Sequence, residues 1–292
     1  MNILVTGSNG FIGSAIVERL IRSDHKVYCY IREESSRKPF LNLVTYITYE
    51  DVFKNVDLNI ECIIHTAWGS TRGSDRNNDD LQKKNLEFTH MIAEIASFLK
   101  VKQFIAFGSQ AEYGHINKII QDDTEFHPNT AYGKYKVKSK EYMERFFREE
   151  NISFVWFRLF SLYGPKDYEE SLIMTTIQKL EKNEDIALTE CTHYWDFLYI
   201  DDLIDLVILA LSKTDIIGDF NVAYGESRPL KEYIVEIQKL LSSRGKLEFG
   251  KILYTEFNNY NLSVNTEKIR TIYDWNPKIC FIDGINKIIK NF

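Results

Sequence analysis

Residues 3–13 read Ile3-Leu4-Val5-Thr6-Gly7-Ser8-Asn9-Gly10-Phe11-Ile12-Gly13, an apolar β-branched run that ends on three glycines and opens a helix predicted over 11–21. Each glycine has a mechanical role at such a strand-to-helix turn: a tight turn, close approach of the backbone to a pyrophosphate, and close packing of helix on strand. The helix N-terminus then holds the phosphates through its free N–H groups. Three glycines alone also fit an ordinary turn. What favours a dinucleotide is their place after the first strand of a parallel sheet.

That sheet is read from the rest of the first half. Apolar runs recur over 26–31, 44–49, 62–66, 103–107 and 152–159, with helical stretches between them. The clearest helix is 81–100, where Phe88, Met91, Ile92, Ile95 and Leu99 share one face at helical spacing. Strand, helix, strand repeated, with continuous rather than alternating apolar strands, predicts a parallel sheet covered on both faces, a doubly wound α/β fold of Rossmann type. After Gly164-Pro165 the rhythm changes to helices at about 170–182, 201–212, 230–242 and 281–290 with shorter strands between. The expected division is a dinucleotide-binding domain over 1–165 and a smaller, interleaved C-terminal lobe over 166–292. From that lobe about 196–212 return to the first domain, because 203–211 are apolar nearly all round.

The 292 residues are 44% apolar and 27% charged, enough to bury about three quarters of the unfolded surface. A net charge of −6 and a pI near 5.6 argue against a chain-wide nucleic-acid footprint and point to small-molecule partners. Cys29, Cys62, Cys191 and Cys280 lie far apart, which excludes zinc-finger, iron–sulfur and disulfide-scaffold readings and implies a reducing compartment. The longest apolar stretch, 206–211, falls far short of the roughly 20 residues of a membrane span, and no secretory leader is visible, so a cytoplasmic protein with no membrane partner is expected. Six dispersed histidines offer no metal-ligand spacing.

Two further segments carry chemistry. At the end of the second strand the chain reads Tyr30-Ile31-Arg32; the acids Glu33 and Glu34 come just after, and Arg32, Arg37 and Lys38 cluster there. A guanidinium can hold a 2′-phosphate through charge-assisted bonds of about 1.5–3 kcal/mol each, which favours NADPH, with NAD(H) the alternative if this is only a solvated loop. Farther on, Tyr132 and Lys136 stand four apart at the start of a helix and so share a face. A tyrosine with a pKa near 10 is a poor acid or base at neutral pH, and a nearby ammonium stabilises its phenolate. Ser109 ends the fifth strand on the side where a parallel sheet opens onto its ligand crevice.

Taken in order, these segments resemble the extended short-chain dehydrogenase/reductases, the NAD-dependent epimerase/dehydratase family acting on nucleotide sugars. The resemblance runs through Gly7 to Gly13, Ile64-His65-Thr66-Ala67, Asn85, Ser109 to Gly114, Tyr132 to Lys136, Arg158 to Pro165, Trp195 to Asp202, Phe220-Asn221-Val222 and Trp275-Asn276-Pro277. It adds Ala67, Phe160, Tyr132 and Lys136 to the glycine turn (Gly7, Asn9, Gly10, Phe11, Ile12, Gly13) and Arg32 as residues expected to bind the cofactor. Tyr132 is then the acid/base, Ser109 the orienting hydroxyl, and Lys136 the residue that lowers the tyrosine's pKa and binds the nicotinamide ribose. Trp68, Gln110, Ser161 and Trp195 join Ser109 and Tyr132 toward the substrate. Two departures fall in the sugar-nucleotide region: Ser161 stands where the family usually has Asn, and Trp195-Asp196 where it usually has Arg-Asp.

The resemblance also sorts the reactions. Its 4,6-dehydratases carry Asp and Glu directly after the hydroxyl residue, whereas here Gln110 and Ala111 follow and Glu112 comes one position late, to point elsewhere. Epimerase-reductases of the fucose-synthase kind use a Cys two residues past the serine and a His in the next lobe; here stand Ala111 and the His-free stretch 171–174, with His193 a substitute only if the fold brings it near the sugar. The expectation is therefore NAD(P)H-dependent reduction of the 4-keto group of a nucleotide-linked 4-keto-6-deoxy sugar, in deoxysugar biosynthesis for surface polysaccharides. The alternatives are a nucleotide-sugar 4-epimerase that retains NAD and a non-catalytic NADP-binding regulator, a kind that typically loses the tyrosine. Family members pair through the helices near 81–100 and 132–150, implying a homodimer, with Tyr142, Met143, Phe146 and Phe147 open to a pairing or a core role.

Overall fold

Six apolar segments become the strands of one sheet: β1 (Asn2–Thr6), β2 (Lys26–Tyr30), β3 (Thr45–Ile47), β4 (Cys62–His65), β5 (Gln103–Ser109) and β6 (Ser153–Leu159). The structure, a computed structural model, describes residues 1–33, 39–40, 42–54, 58–254 and 261–290. With Gly218–Val222 beside β6 the seven strands run in the order Gly218–Val222, β6, β5, β4, β1, β2, β3. The pairings of β1 with β2 and β4, β2 with β3, and β5 with β4 and β6 are all parallel. Chain order reverses at β1, between β2 on one side and β4 on the other, and in a doubly wound sheet the strand ends at such a reversal open onto the ligand crevice.

Helices α1 (Phe11–Leu20), α2 (Tyr49–Lys54), α3 (Asp79–Phe98) and α4 (Ala131–Glu149) connect these strands. The predicted strand over 44–49 overran its end. Asp51 accepts hydrogen bonds from the Thr48 amide and hydroxyl, both at 2.8 Å, and this turns the chain into α2 at Tyr49. On α3 the buried stripe centres on Thr89, Ile92, Ala93, Ile95 and Ala96, while Phe88, Met91 and Leu99 pack at its margin. Small residues at the centre let helix and sheet approach closely.

The two open readings of α4 resolve by burial. Met143 and Phe147 are wholly buried, the Phe147 ring standing 4.5 Å from Phe104 and 5.4 Å from Phe154. They belong to the core, because α4 must cover β5 and β6, and only Tyr142 and Phe146 stay partly exposed.

The chain divides into two compact units: residues 1–114, 125–159 and 204–220 form the first, and residues 115–124, 160–203 and 221–292 the second. Of the helix Ile200–Ser212, residues 204–212 lie in the first unit, where the Gln103 side-chain amide donates to Ala210 O at 2.9 Å. The second unit holds three two-stranded ladders, Ser161–Tyr163 with Phe197–Tyr199, Tyr194–Trp195 with Arg228–Pro229, and Ile186–Ala187 with Leu247–Glu248. Its core is aromatic: the Tyr163 ring lies 5.3 Å from Tyr199 and 5.2 Å from Phe281, and Tyr233 lies 4.6 Å from Phe281. No helix among the described residues is long and apolar enough to cross a membrane.

Because Phe147 joins α4 to two strands, Phe147→Ala is expected to cost about 3–5 kcal/mol of stability. Urea unfolding would show it as a lower midpoint; an unmoved midpoint would contradict the packing described.

Candidate active site

The glycine turn is packed as the sequence spacing requires. Gly7 has φ +70°, and a Cβ there would meet Ala67 N and Thr66 Oγ1, both at 2.7 Å. A Cβ on Gly13 would fall 2.2 Å from Gly7 O, so any side chain would force α1 off β1. Gly10 donates to Gly7 O at 2.9 Å and stands at the N-cap of α1 with no side-chain cap bond. The N-cap glycine has no side chain to offer the helix's first N–H groups, which leaves room for a pyrophosphate. These residues fit the phosphates of a dinucleotide.

The neighbouring strand ends are stitched together. Thr6 Oγ1 lies 2.8 Å from His65 Nδ1 and accepts from Ala67 N at 3.3 Å, while His65 Nε2 lies 3.1 Å from Thr89 Oγ1. Burial, with the Lys136 charge adding to it, lowers the His65 pKa to about 3, so the ring is neutral and serves as a hydrogen-bonding strut between β1, β4 and α3. Ala67 is half-buried at this junction, Asn9 is exposed in the glycine turn, and Phe11 and Ile12 are half-buried at the start of α1. Arg32 is exposed in the bend after β2. Glu34, Arg37 and Lys38, the rest of the predicted cluster, lie outside the described residues.

At the end of β5, Ser109 caps a 3₁₀ turn over Gln110–Glu112. Its hydroxyl accepts from Ala111 N at 3.2 Å and donates to Gln110 Oε1 at 2.9 Å, and its amide donates to Glu112 Oε1 at 2.8 Å. Thr130 caps α4 by accepting from Gly133 N at 3.1 Å, and this sets Tyr132 and Lys136 on one face of the helix. Burial is the largest influence on the Tyr132 phenol and raises it; the Ser109 hydrogen bond and the Arg76 charge pull it down, and Glu112 raises it. Lys136 Nζ donates to Phe107 O at 2.7 Å and lies 3.8 Å from the Trp68 ring centroid; burial lowers its pKa to about 7, against the pull of Glu112. Trp68 meets Tyr132 edge to face at 6.1 Å and is held by its indole N–H donating to Gln82 at 2.9 Å. The first unit thus brings Trp68, Ser109, Gln110, Tyr132 and Lys136 together.

Phe160, Ser161 and Trp195 belong to the second unit. Phe160 is buried, its amide donating to Val222 O at 3.2 Å. Ser161 and Trp195 line one cleft of about 460 Å³ together with Asp167, Thr189, His193 and Tyr254. Ser171, in the stretch where a histidine was sought, caps the helix Leu172–Glu181 and lines the same cleft. Asp196, beside Trp195, accepts from the Tyr224 and Gly225 amides at 2.8 Å each; burial nevertheless raises its carboxyl to about 6.

Three residues that matter here carried no site assignment in the sequence. Glu112 is wholly buried and pairs with Arg158 Nε at 2.7 Å; Arg158, also buried, further reaches the Tyr113 hydroxyl at 3.0 Å and Asp219 at 2.8 Å. The pattern Ser109-x-x-Glu112 is that of a capping box and was a legible signal. Arg76 lies in a 3₁₀ turn over Gly73–Asn77 and sets its guanidinium carbon 4.8 Å from the Tyr132 ring centroid. Its charged surroundings, Arg72 to Asp80, read as an ordinary solvated loop.

Residues 3–223 match the NAD dependent epimerase/dehydratase family, and the chain belongs to this family of enzymes. It is 26% identical over 297 residues to the CDP-abequose synthase of Salmonella muenchen, covering 98% of this chain and 96% of that one. It is 29% identical over 248 residues to the dTDP-6-deoxy-L-talose 4-dehydrogenase (NAD(+)) of Aggregatibacter actinomycetemcomitans, covering 81% and 89%. Among solved structures, the UDP-N-acetylglucosamine 4-epimerase of Methanobrevibacter ruminantium M1 has the same fold, with a TM-score of 0.85 over 100% of this chain and 99% of that one at 22% identity.

Replacing Glu112 with leucine would leave Arg158 charged and short of its main partner. Glu112→Leu is expected to lose about 3–5 kcal/mol in chemical denaturation, and a variant as stable as the parent would contradict the pairing.

Proposed function

We propose that the protein reduces the 4-keto group of a nucleotide-linked 4-keto-6-deoxy sugar, with NADPH as the cosubstrate. The observation that carries this reading is the engagement of Glu112. Both its oxygens are taken up by Ser109 N, Trp156 Nε1 and Arg158, so the carboxylate next to the strand-end serine is withdrawn from proton transfer. That leaves Tyr132, with Ser109 beside it, as the acid/base pair at the end of β5. A ketone reduction needs one proton donor and one polarising hydroxyl, whereas dehydration needs a further acid and base.

When bound at the glycine turn, the nicotinamide cofactor supplies the hydride equivalent. The protein's own residues do the rest. Ser109 donates a hydrogen bond to the keto oxygen, and Tyr132 passes its phenolic proton to that oxygen as negative charge develops there. Lys136 would hold the cofactor's ribose, and Arg32, exposed in the bend after β2, would receive a 2′-phosphate. The cleft of the second unit, with Trp195, Tyr254 and His193 on its wall, takes the nucleotide half of the substrate.

The relative named CDP-abequose synthase supports a nucleotide-sugar substrate, and the relative whose name includes NAD(+) keeps NAD(H) as the alternative cofactor. A nucleotide-sugar 4-epimerase is the second reading, supported by the shared fold of a 4-epimerase and by the same Ser109, Tyr132 and Lys136. It differs in retaining its cofactor and returning the hydride.

Tyr132→Phe tests the acid/base assignment. Turnover of the keto sugar should fall by at least about 100-fold, since a positioned general acid contributes roughly 10²–10⁴, while NADPH affinity measured by fluorescence stays nearly unchanged. A fully active variant would remove the assignment.

A further inference from the structure

The resemblance gives the task of lowering the tyrosine's pKa to Lys136. Its ammonium donates to Phe107 O, lies over Trp68 at 3.8 Å, and stands 5.9 Å from the Tyr132 ring centroid. Burial draws its own pKa down to about 7. The guanidinium of Arg76 is closer to the Tyr132 ring, at 4.8 Å, and makes no ion pair among the described residues. A planar, delocalised guanidinium is the kind of cation that rests against an aromatic face.

We propose that Arg76 is a positioning residue for proton transfer, its guanidinium held against the Tyr132 ring so as to favour the phenolate and make the phenol a stronger acid. The inference rests on the reading of Tyr132 as the acid/base. A ring bearing a phenolate is richer in electrons than one bearing a phenol, so a cation against it stabilises the ionised form more. Lys136 apart, the other groups around the tyrosine supply no positive charge. From the turn after β5, Glu112 opposes ionisation and is itself paired with Arg158 of β6; Ser109 offers a neutral hydroxyl; His65 of β4 is neutral. On α4 itself, Lys136 is the second cation, its ammonium donating to Phe107 O. From α3, Asp79 accepts the hydroxyl of Tyr135 rather than facing Tyr132.

The test places 3,5-difluorotyrosine at position 132, the fluorines bringing phenol ionisation into the pH range where the protein stays folded, and follows its ¹⁹F shift with pH. In Arg76→Gln the midpoint should rise by about one pH unit, and in Arg76→Lys by less, because the lysine keeps the charge and loses the planar contact. Thermal melting of each variant confirms the fold. A midpoint in folded Arg76→Gln equal to or below the parent's overturns the proposal, as does a midpoint that moves only in Lys136→Met. No substrate or cofactor is needed, so the two readings fail separately. A shifted midpoint in a protein that reduces no keto sugar upholds the role of Arg76 and removes the function; an unmoved midpoint in an active reductase does the reverse.

Discussion

The strand end that presents Ser109 depends on an ion pair from which water is excluded. Glu112 and Arg158 expose 0% and 1% of their surface, and such a pair is tolerable only when its remaining hydrogen-bonding capacity is met. Here it is met by Ser109 N and Trp156 Nε1 on the carboxylate, and by the Tyr113 hydroxyl and Asp219 on the guanidinium. Together with the ordinary attraction of Glu112, Tyr113 and Asp219, these partners hold the Arg158 guanidinium above its usual pKa although burial pulls the other way. Gly108 makes the arrangement possible: a Cβ there would lie 2.2 Å from Trp156 Nε1 and 2.3 Å from Glu112 Oε1. The glycine before the serine thus serves the carboxylate three residues after it, and the carboxylate in turn fixes the serine's backbone.

The same economy of parts shapes the other strand ends. Gly7 and Gly13 let α1 lie against β1, and His65 ties Thr6 to Thr89, so that the turn expected to take the phosphates is anchored in the sheet. Tyr132 then enters from α4, whose start is fixed by Thr130 and whose far end is fixed by Met143 and Phe147 in the core. A rigid sheet with the reactive groups on its connecting turns is how this fold keeps geometry while varying chemistry.

Much of this was legible in the chain. The sheet strands announce themselves as continuous apolar runs because both faces are covered, and Gly7 to Gly13 are decisive once the run before them is seen as a strand. The short helix α2 was hidden because it buries only Val52 and follows directly on a strand-like stretch. Arg158 stands in an apolar strand, which is the sign of a buried partner, but the partner lies 46 residues away in Glu112 and only strand pairing brings them together. Arg76 left no signal at all. Its neighbours are charged and its turn has no periodicity, so its place against Tyr132 is a product of topology alone.

Net reduction at a site with a single acid/base separates a ketoreductase from an epimerase. The most direct measurement follows the 340 nm absorbance of NADPH, with NADH alongside, when purified protein meets a panel of nucleotide-linked 4-keto-6-deoxyhexoses. The account predicts oxidation of NADPH in stoichiometric amount with one member of the panel. Consumption of neither cofactor with any of them, together with release of NAD⁺ when the protein is denatured, would contradict it and establish the epimerase instead.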